Sequence, residues 1–333
     1  NNFMQRSMFV VVWLFTAARA LSVVPTPRSV TLRRPPLALR AEKAEAAPAP
    51  TEASRRRPSS GLLAAGGAAA AGGAAALALG GDLPSHVVRD VACSGVAIGG
   101  AVAWLKIWTT LASTGAIESS LSRKIIHCGS GPLFLLVWPF YSGDPSAKFV
   151  AAAVPALNVL RLVAAGTREP TTKKGRRQDG LVAAVSRSGD PTEVLKGPLI
   201  YCVVLFLATV FGWRSVAAVV AVTQMAVGDG LADIAGRRYG QNNKWPFNSD
   251  KSVAGSLAFV LGAAAATMAL IAWFALFDVY PTSLLLGYFG DEVLLRAFLI
   301  SVACAFVELL PGLDDNISVP LVAALLAQLL LTF

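Results

Sequence analysis

From residue 87 to residue 333, apolar runs long enough to cross a bilayer alternate with short polar stretches. The runs lie near 90–116, 125–141, 148–166, 196–212, 215–235, 253–277, 292–310 and 317–333. In hydrocarbon a backbone can satisfy its polar groups only within its own segment or in a closed barrel, so runs of this length are helices. The pattern predicts an all-α, polytopic membrane helical bundle of about seven to eight transmembrane helices. The stretch 281–290 is too short to span and is expected at the interface. Charged residues make up 15% of the chain and hydrophobic residues 55%, which excludes both a water-soluble globule and a disordered chain. Cys93, Cys128, Cys202 and Cys304 lie far apart with no C-x-x-C spacing, so a disulfide-stapled scaffold is excluded as well.

The net charge of +9 raises the question of nucleic acid until the charge is located. Residues 1–60 carry ten Lys/Arg and three acids, and the rest of the chain is close to neutral. No nucleic-acid partner is expected, because a binding face would lie on the folded part. Arg6, the apolar run Met8–Phe15 and Ala18-Arg19-Ala20 fit a signal peptide with a cleavage site. Residues 21–41 are rich in Arg, Ser, Thr and Pro and contain no acid, which is transit-peptide composition. Residues 1–60 therefore read as a bipartite targeting presequence with a disordered linker. The Ala/Gly-rich segment 61–86 is an extra span or a remainder of the presequence, and 87–333 is the polytopic domain. The expected location is a plastid (chloroplast) membrane. A signal peptide followed only by a disordered arm would place the chain in the endoplasmic reticulum membrane instead.

Counting crossings puts 117–124, 167–195, 236–252 and 311–316 on one side of the membrane. That side carries Arg123, Lys124, Arg168, Lys173, Lys174, Arg176, Arg177, Arg187, Arg237, Arg238, Lys244 and Lys251. The other carries Lys148 and Arg214 at span ends. The positive-inside rule makes the basic side cytosol-like, which is the stroma in a plastid. Nearly all unusual polar sequence falls on this same side.

Four stretches there are candidates for chemistry, with a fifth at a span entrance. In Gly228–Gly240, Asp229, Asp233 and Arg237 recur every fourth residue and share a helix face. Two carboxylates at the edge of a span, near the negative end of their helix, are costly unless a cation offsets them. Mg²⁺ held by Asp229 and Asp233 is one solution, and an Asp233–Arg237 pair with Asp229 in a wet cleft is the other. In Asn248–Ser256, Lys251, Ser252, Gly255 and Ser256 precede or open a span, as in a phosphate site at a helix N-terminus, or as in a capped helix with a snorkelling lysine. In Glu308–Asn316, a Pro-Gly break leads to Asp314, Asp315 and Asn316 at the start of the last span. Helix capping explains the triplet equally well, whereas Glu308 inside an apolar stretch is harder to explain. Ser186–Pro198 contributes Arg187, Asp190 and Lys196. Arg123–His127 enters a span, where His127 is either a packed side chain or a base.

Together, Arg123–His127, Ser186–Pro198, Gly228–Gly240, Lys251–Ser256 and Pro311–Pro320 resemble, in order, the phytol kinase and farnesol kinase group of the CTP-dependent polyprenol kinases, relatives of dolichol kinase. The resemblance implies a multi-pass enzyme that phosphorylates an isoprenoid alcohol from CTP with Mg²⁺. The alcohol would be phytol, geranylgeraniol or farnesol, with phytol to phytyl phosphate in plastid prenyl-lipid and tocopherol salvage foremost. It further implies Asp229, Asp233 and Lys251 as catalytic, with Asp229 and Asp233 on the metal. Arg237, Ser252, Gly255, Ser256, Asp314, Asp315 and Asn316 would bind the nucleotide. Arg123, His127, Arg187, Asp190 and Lys196 would support it. The alternatives are a phosphatidate cytidylyltransferase-like enzyme, which would release pyrophosphate, and a multi-pass transporter, which would carry polar residues near the midplane in repeated halves. An interfacial site suits a kinase of this kind, because the apolar tail arrives from the bilayer and the nucleotide from water.

Overall fold

The computed structural model describes residues 84–167, 184–186, 190–285 and 287–331. The expected presequence, most of the Ala/Gly-rich segment, the basic run 173–177 and Arg187 lie outside these residues. Among the described residues there are nine α-helices: α1 (Ser85–Ser113), α2 (Ser119–Val137), α3 (Ala147–Gly166), α4 (Gly197–Phe211), α5 (Val216–Thr223), α6 (Asp229–Tyr239), α7 (Val253–Leu276), α8 (Gly287–Glu308) and α9 (Asp315–Leu330). A π-helical turn, Gln224–Gly228, joins α5 to α6. A short antiparallel ribbon, β1 (Lys244–Trp245) with β2 (Asn248–Ser252), precedes α7.

The helices follow the apolar runs closely, and their ends have local causes. Ser215 caps α5 by accepting from the Ala218 N–H, and Ser252 caps α7 by accepting from the Gly255 N–H. Asp314 caps α9 by accepting from the Asn316 N–H. Gly115 (φ 76°) turns the chain between α1 and α2, and Gly312 (φ 83°) turns it between α8 and α9.

Five helical stretches are long and apolar enough to cross a membrane: Ser85–Ser113, Ala147–Gly166, Pro191–Phe211, Val216–Tyr239 and Val253–Leu276. Asp315–Leu330 is apolar but shorter. The expected seven to eight crossings exceed this count. The two other runs, α2 and α8, carry Arg123 and Lys124 or Asp291, Glu292 and Arg296, and α2 contains Pro132. The stretch 281–290 is neither span nor plain loop: a 3-10 turn at Thr282–Leu285 leads into α8.

Every residue from Ala217 to Gly228 is buried, so α5 and the π turn form the centre of the bundle. Around them pack Trp138, Phe259, Ile271, Phe274 and Ile300, all fully buried. Large apolar side chains such as Val96, Phe149, Leu160, Phe211, Leu261, Leu295 and Leu329 are exposed on outer faces. Such a girdle would be a solubility liability in water and suits contact with acyl chains.

One end of the bundle is braced by a buried polar knot. Asp90 accepts from the Ser142 N–H at 2.6 Å and from its Oγ at 2.7 Å. Arg214, in the left-handed region (φ 54°), donates to the carbonyls of Trp138, Pro139 and Tyr141. This end gathers the sparsely charged turns on the side opposite the basic loops.

Candidate active site

The other end brings together polar residues from five separate parts of the chain. α2 contributes Lys124 and His127 near its first turns, and α6 contributes Asp229 and Asp233 directly after the π turn. The end of β2 contributes Lys251, the end of α8 Glu308, and the start of α9 Asp315. Asp229, Lys251, Glu308 and Asp315 sit at an element end or beside the π turn, where side chains from different helices can meet outside the apolar packing.

Two ion-paired groups face one another. In the first, Lys124 Nζ donates to Asp229 Oδ2 at 3.2 Å and lies 3.9 Å from Asp233 Oδ2. Arg237 Nε holds the same Asp233 oxygen at 2.8 Å. In the second, Lys251 Nζ donates to Glu308 Oε1 at 2.5 Å and to Asp315 Oδ2 at 2.9 Å. Carboxylate oxygens of Asp229, Glu308 and Asp315 all lie within 4.8 Å of one another, which joins the two groups. Only 4% of the Glu308 side chain is exposed. Burial works against the Lys251 ammonium, but Glu308 and then Asp315 outweigh it and raise its pKa above the usual lysine value. Lys251 is therefore a fixed positive charge at neutral pH.

His127 has a defined part. Its Nε2 lies 3.3 Å from both Asp229 Oδ2 and the Met225 carbonyl. Both are acceptors, so Nε2 carries the proton and His127 steadies the Asp229 carboxylate as a donor. The Tyr201 hydroxyl donates to the His127 carbonyl at 3.0 Å, and the two rings lie 4.6 Å apart. In this structure His127 is a packed side chain that orients the Asp229 carboxylate.

The helix bearing the acids differs from expectation. It runs without a break from Val216 through the π turn to Tyr239, beyond the expected end at 235. Asp229 thus lies more than two turns before the helix end, where the terminal dipole acts weakly. The cost of its charge comes from burial, and Lys124 and His127 offset it.

The remaining expected residues occupy varied positions. Ser252 is buried, and its hydroxyl is used in capping α7. Gly255 lets α7 approach α6: a Cβ there would lie 2.8 Å from the Ala232 carbonyl oxygen. The Ser256 hydroxyl accepts from Trp245 Nε1 at 3.0 Å, tying the ribbon to α7. Asp314 caps α9, and the Asn316 amide also donates to it. Asp190 caps the 3-10 turn Pro191–Leu195, and Lys196 is exposed where that turn meets α4. Gly197 lies against Asn316, so this loop reaches the start of α9. Arg123 lies next to Lys124 in α2. Two members of the cluster, Lys124 and Glu308, were given no role in the site from sequence. Glu308 carried a signal in its position inside an apolar run.

The arrangement offers hard oxygen donors from Asp229, Glu308 and Asp315 that could hold a divalent cation, flanked by two lysines and an arginine. Such a site can neutralise and position a polyphosphate. A probable phytol kinase, chloroplastic, from Zea mays is 38% identical over 323 residues, 94% of this chain and 96% of that protein. Phytol kinase 1, chloroplastic, from Arabidopsis thaliana is 37% identical over 252 residues, 74% of this chain and 78% of that protein. The chain belongs to the phytol kinase and farnesol kinase family. The farnesol branch is represented by farnesol kinase, chloroplastic, of Arabidopsis thaliana, 35% identical over 252 residues, 74% of this chain and 77% of that protein. No protein-family model matches the chain. No solved structure matches it either.

Proposed function

We propose that this chain is a membrane-embedded kinase that transfers the terminal phosphoryl group of a nucleoside triphosphate to an isoprenoid alcohol, phytol foremost, in a plastid membrane. CTP is the donor and Mg²⁺ the accompanying cation. The observation that carries the reading is the meeting of Lys124, Asp229, Lys251, Glu308 and Asp315 at one end of an apolar bundle. The names of the relatives supply the acceptor class and the plastid. CTP and the place in tocopherol salvage rest on the resemblance of the motifs. The stromal orientation rests on the excess of Lys and Arg in the loops at this end.

A prenyl alcohol leaves its tail in the hydrocarbon and its hydroxyl at headgroup level, and the nucleotide comes from water. A charged site at a helix-bundle end meets both. Phosphoryl transfer asks the protein mainly for positioning and charge neutralisation. The alcohol oxygen bonds to the terminal phosphorus, the bond to the bridging oxygen breaks, the nucleoside diphosphate leaves, and the hydroxyl proton passes by way of the Asp229 carboxylate to solvent. Asp229, steadied by His127 and Lys124, is positioned to accept a hydrogen bond from the hydroxyl. Lys251 and Arg237 neutralise phosphate oxygens. The clustered carboxylate oxygens are hard donors of the kind Mg²⁺ takes, so the residues present fit that ion, with Asp229, Glu308 and Asp315 its holders. When bound, Mg²⁺ would draw charge from the transferring group. Asp233, expected beside Asp229 on the metal, is paired with Arg237 and lies next to this set.

The test is direct. Purified chain, phytol, Mg²⁺ and CTP labelled at the terminal phosphate should yield labelled phytyl phosphate and CDP. Failure to phosphorylate any prenol with any nucleotide would reject the reading.

A further inference from the structure

The second ion-paired group contains a conflict of charge. Lys251 Nζ sits against Glu308 and Asp315 at 2.5 and 2.9 Å, and both of those acids have oxygens within 4.8 Å of one on Asp229. The ammonium therefore occupies part of the small volume that a divalent cation would need to share these oxygens. Two positive centres cannot use the same carboxylates at that spacing without strong repulsion. Lysine suits such an exchange. Its ammonium is a compact point charge on a flexible four-carbon stem, whereas arginine would hold a carboxylate with a rigid fork. The backbone at its root is fixed, because Ser252 caps α7 and Asn248 donates to the Leu309 carbonyl at 3.0 Å. The side chain can swing while its origin stays in place.

We propose that Lys251 is an exchangeable counter-ion: it neutralises Glu308 and Asp315 until a divalent cation takes its place, and only then is its ammonium released toward the phosphates. This rests on the reading that the site takes a nucleotide with its cation. The lysine then does two jobs in sequence. It keeps the carboxylates neutralised in the resting protein, and it couples arrival of the cation to readiness for the phosphates.

The experiment uses the full chain in detergent, with Mn²⁺ as the probe and no nucleotide, read by electron paramagnetic resonance. Removing the competing ammonium in Lys251→Met should tighten Mn²⁺ binding by about tenfold or more, the scale expected from loss of one adjacent unit charge. Lys251→Arg should bind no tighter than wild type. Adding Glu308→Gln to Lys251→Met should reverse the gain. A merely structural lysine would give weaker binding on removal, so unchanged or weakened Mn²⁺ affinity in Lys251→Met overturns the proposal. A second measurement needs no variant. Mg²⁺ alone should raise acetylation of Lys251 in the wild-type chain several-fold, measured by mass spectrometry, and unchanged labelling overturns the proposal. Prenol phosphorylation by the wild-type chain is assayed beside these. An active kinase without the metal effects rejects the exchange and leaves the function standing, and an inactive chain with them does the reverse.

Discussion

Lys124 donates to Asp229 across 3.2 Å although 105 residues separate them in the chain. The contact joins the entrance of α2 to the helix that follows the π turn, and it balances a carboxylate held among packed helices. With His127 on the same oxygen, it leaves Asp229 charged and oriented at the mouth of the bundle.

Asp229→Asn should therefore lower kcat by about two to three orders of magnitude, the range seen when one preorganised electrostatic group is removed. Lys124→Met should give a loss of the same order. The double variant should lose little more than either single one, since both act on one interaction. Steady-state kinetics with phytol as acceptor checks this, and full additivity of the two losses would contradict it.

Lys251→Met strands Glu308 and Asp315 without their ammonium. Breaking a buried ion pair from one side costs about 3–5 kcal/mol. The thermal transition in detergent should fall clearly, and adding Glu308→Gln should recover much of the loss without restoring turnover. A double variant no more stable than Lys251→Met alone would show that Glu308 does not depend on this lysine.

Ser252→Ala and Gly255→Ala separate capping from helix approach. Loss of the cap should cost about 1 kcal/mol of stability. The methyl at residue 255 meets the Ala232 carbonyl and must push α6 from α7. Gly255→Ala should therefore depress kcat more strongly than Ser252→Ala. Comparable kcat values for the two would argue against α6–α7 spacing as a determinant of the site.

Asp90 lies at the opposite end and bonds Ser142 twice. Each buried partner left unsatisfied costs about 1–3 kcal/mol. Asp90→Ala should lower the melting temperature while the folded fraction keeps the wild-type KM for nucleotide. A raised KM at unchanged stability would contradict the separation of brace and site.

Cysteines introduced singly at Lys196, Lys251 and Asp315 should react with a membrane-impermeant thiol reagent from one side, and one at Asp144 from the other. Labelling of Lys251 and Asp315 from opposite sides would dissolve the site.

Hydropathy locates the helices well because lipid imposes one demand on every residue of a span. The eight expected runs fall within a few residues of α1, α2, α3, α4, α5 with α6, α7, α8 and α9. The acids of α6 were legible because a carboxylate in such a run needs a reason. Lys124 was visible only as a basic residue at a span entrance and Glu308 only as an unexplained acid in an apolar run, since their partners lie in distant elements and no spacing rule links them. The ribbon Lys244–Ser252 was missed for another reason: it is short and polar and is closed partly by side chains such as Asn243, which accepts from the Ala254 N–H. The π turn carries no sequence signature of its own, yet it carries the chain into α6 at Asp229.

Gly255 carries one last implication. The carboxylates of α6 and the ammonium that precedes α7 are held at their separation by main chain resting on main chain, with no rotamer in between. Substitutions on the exposed apolar outer faces need not alter that gauge. The two sides of the site therefore keep their spacing when the outer faces of the bundle change.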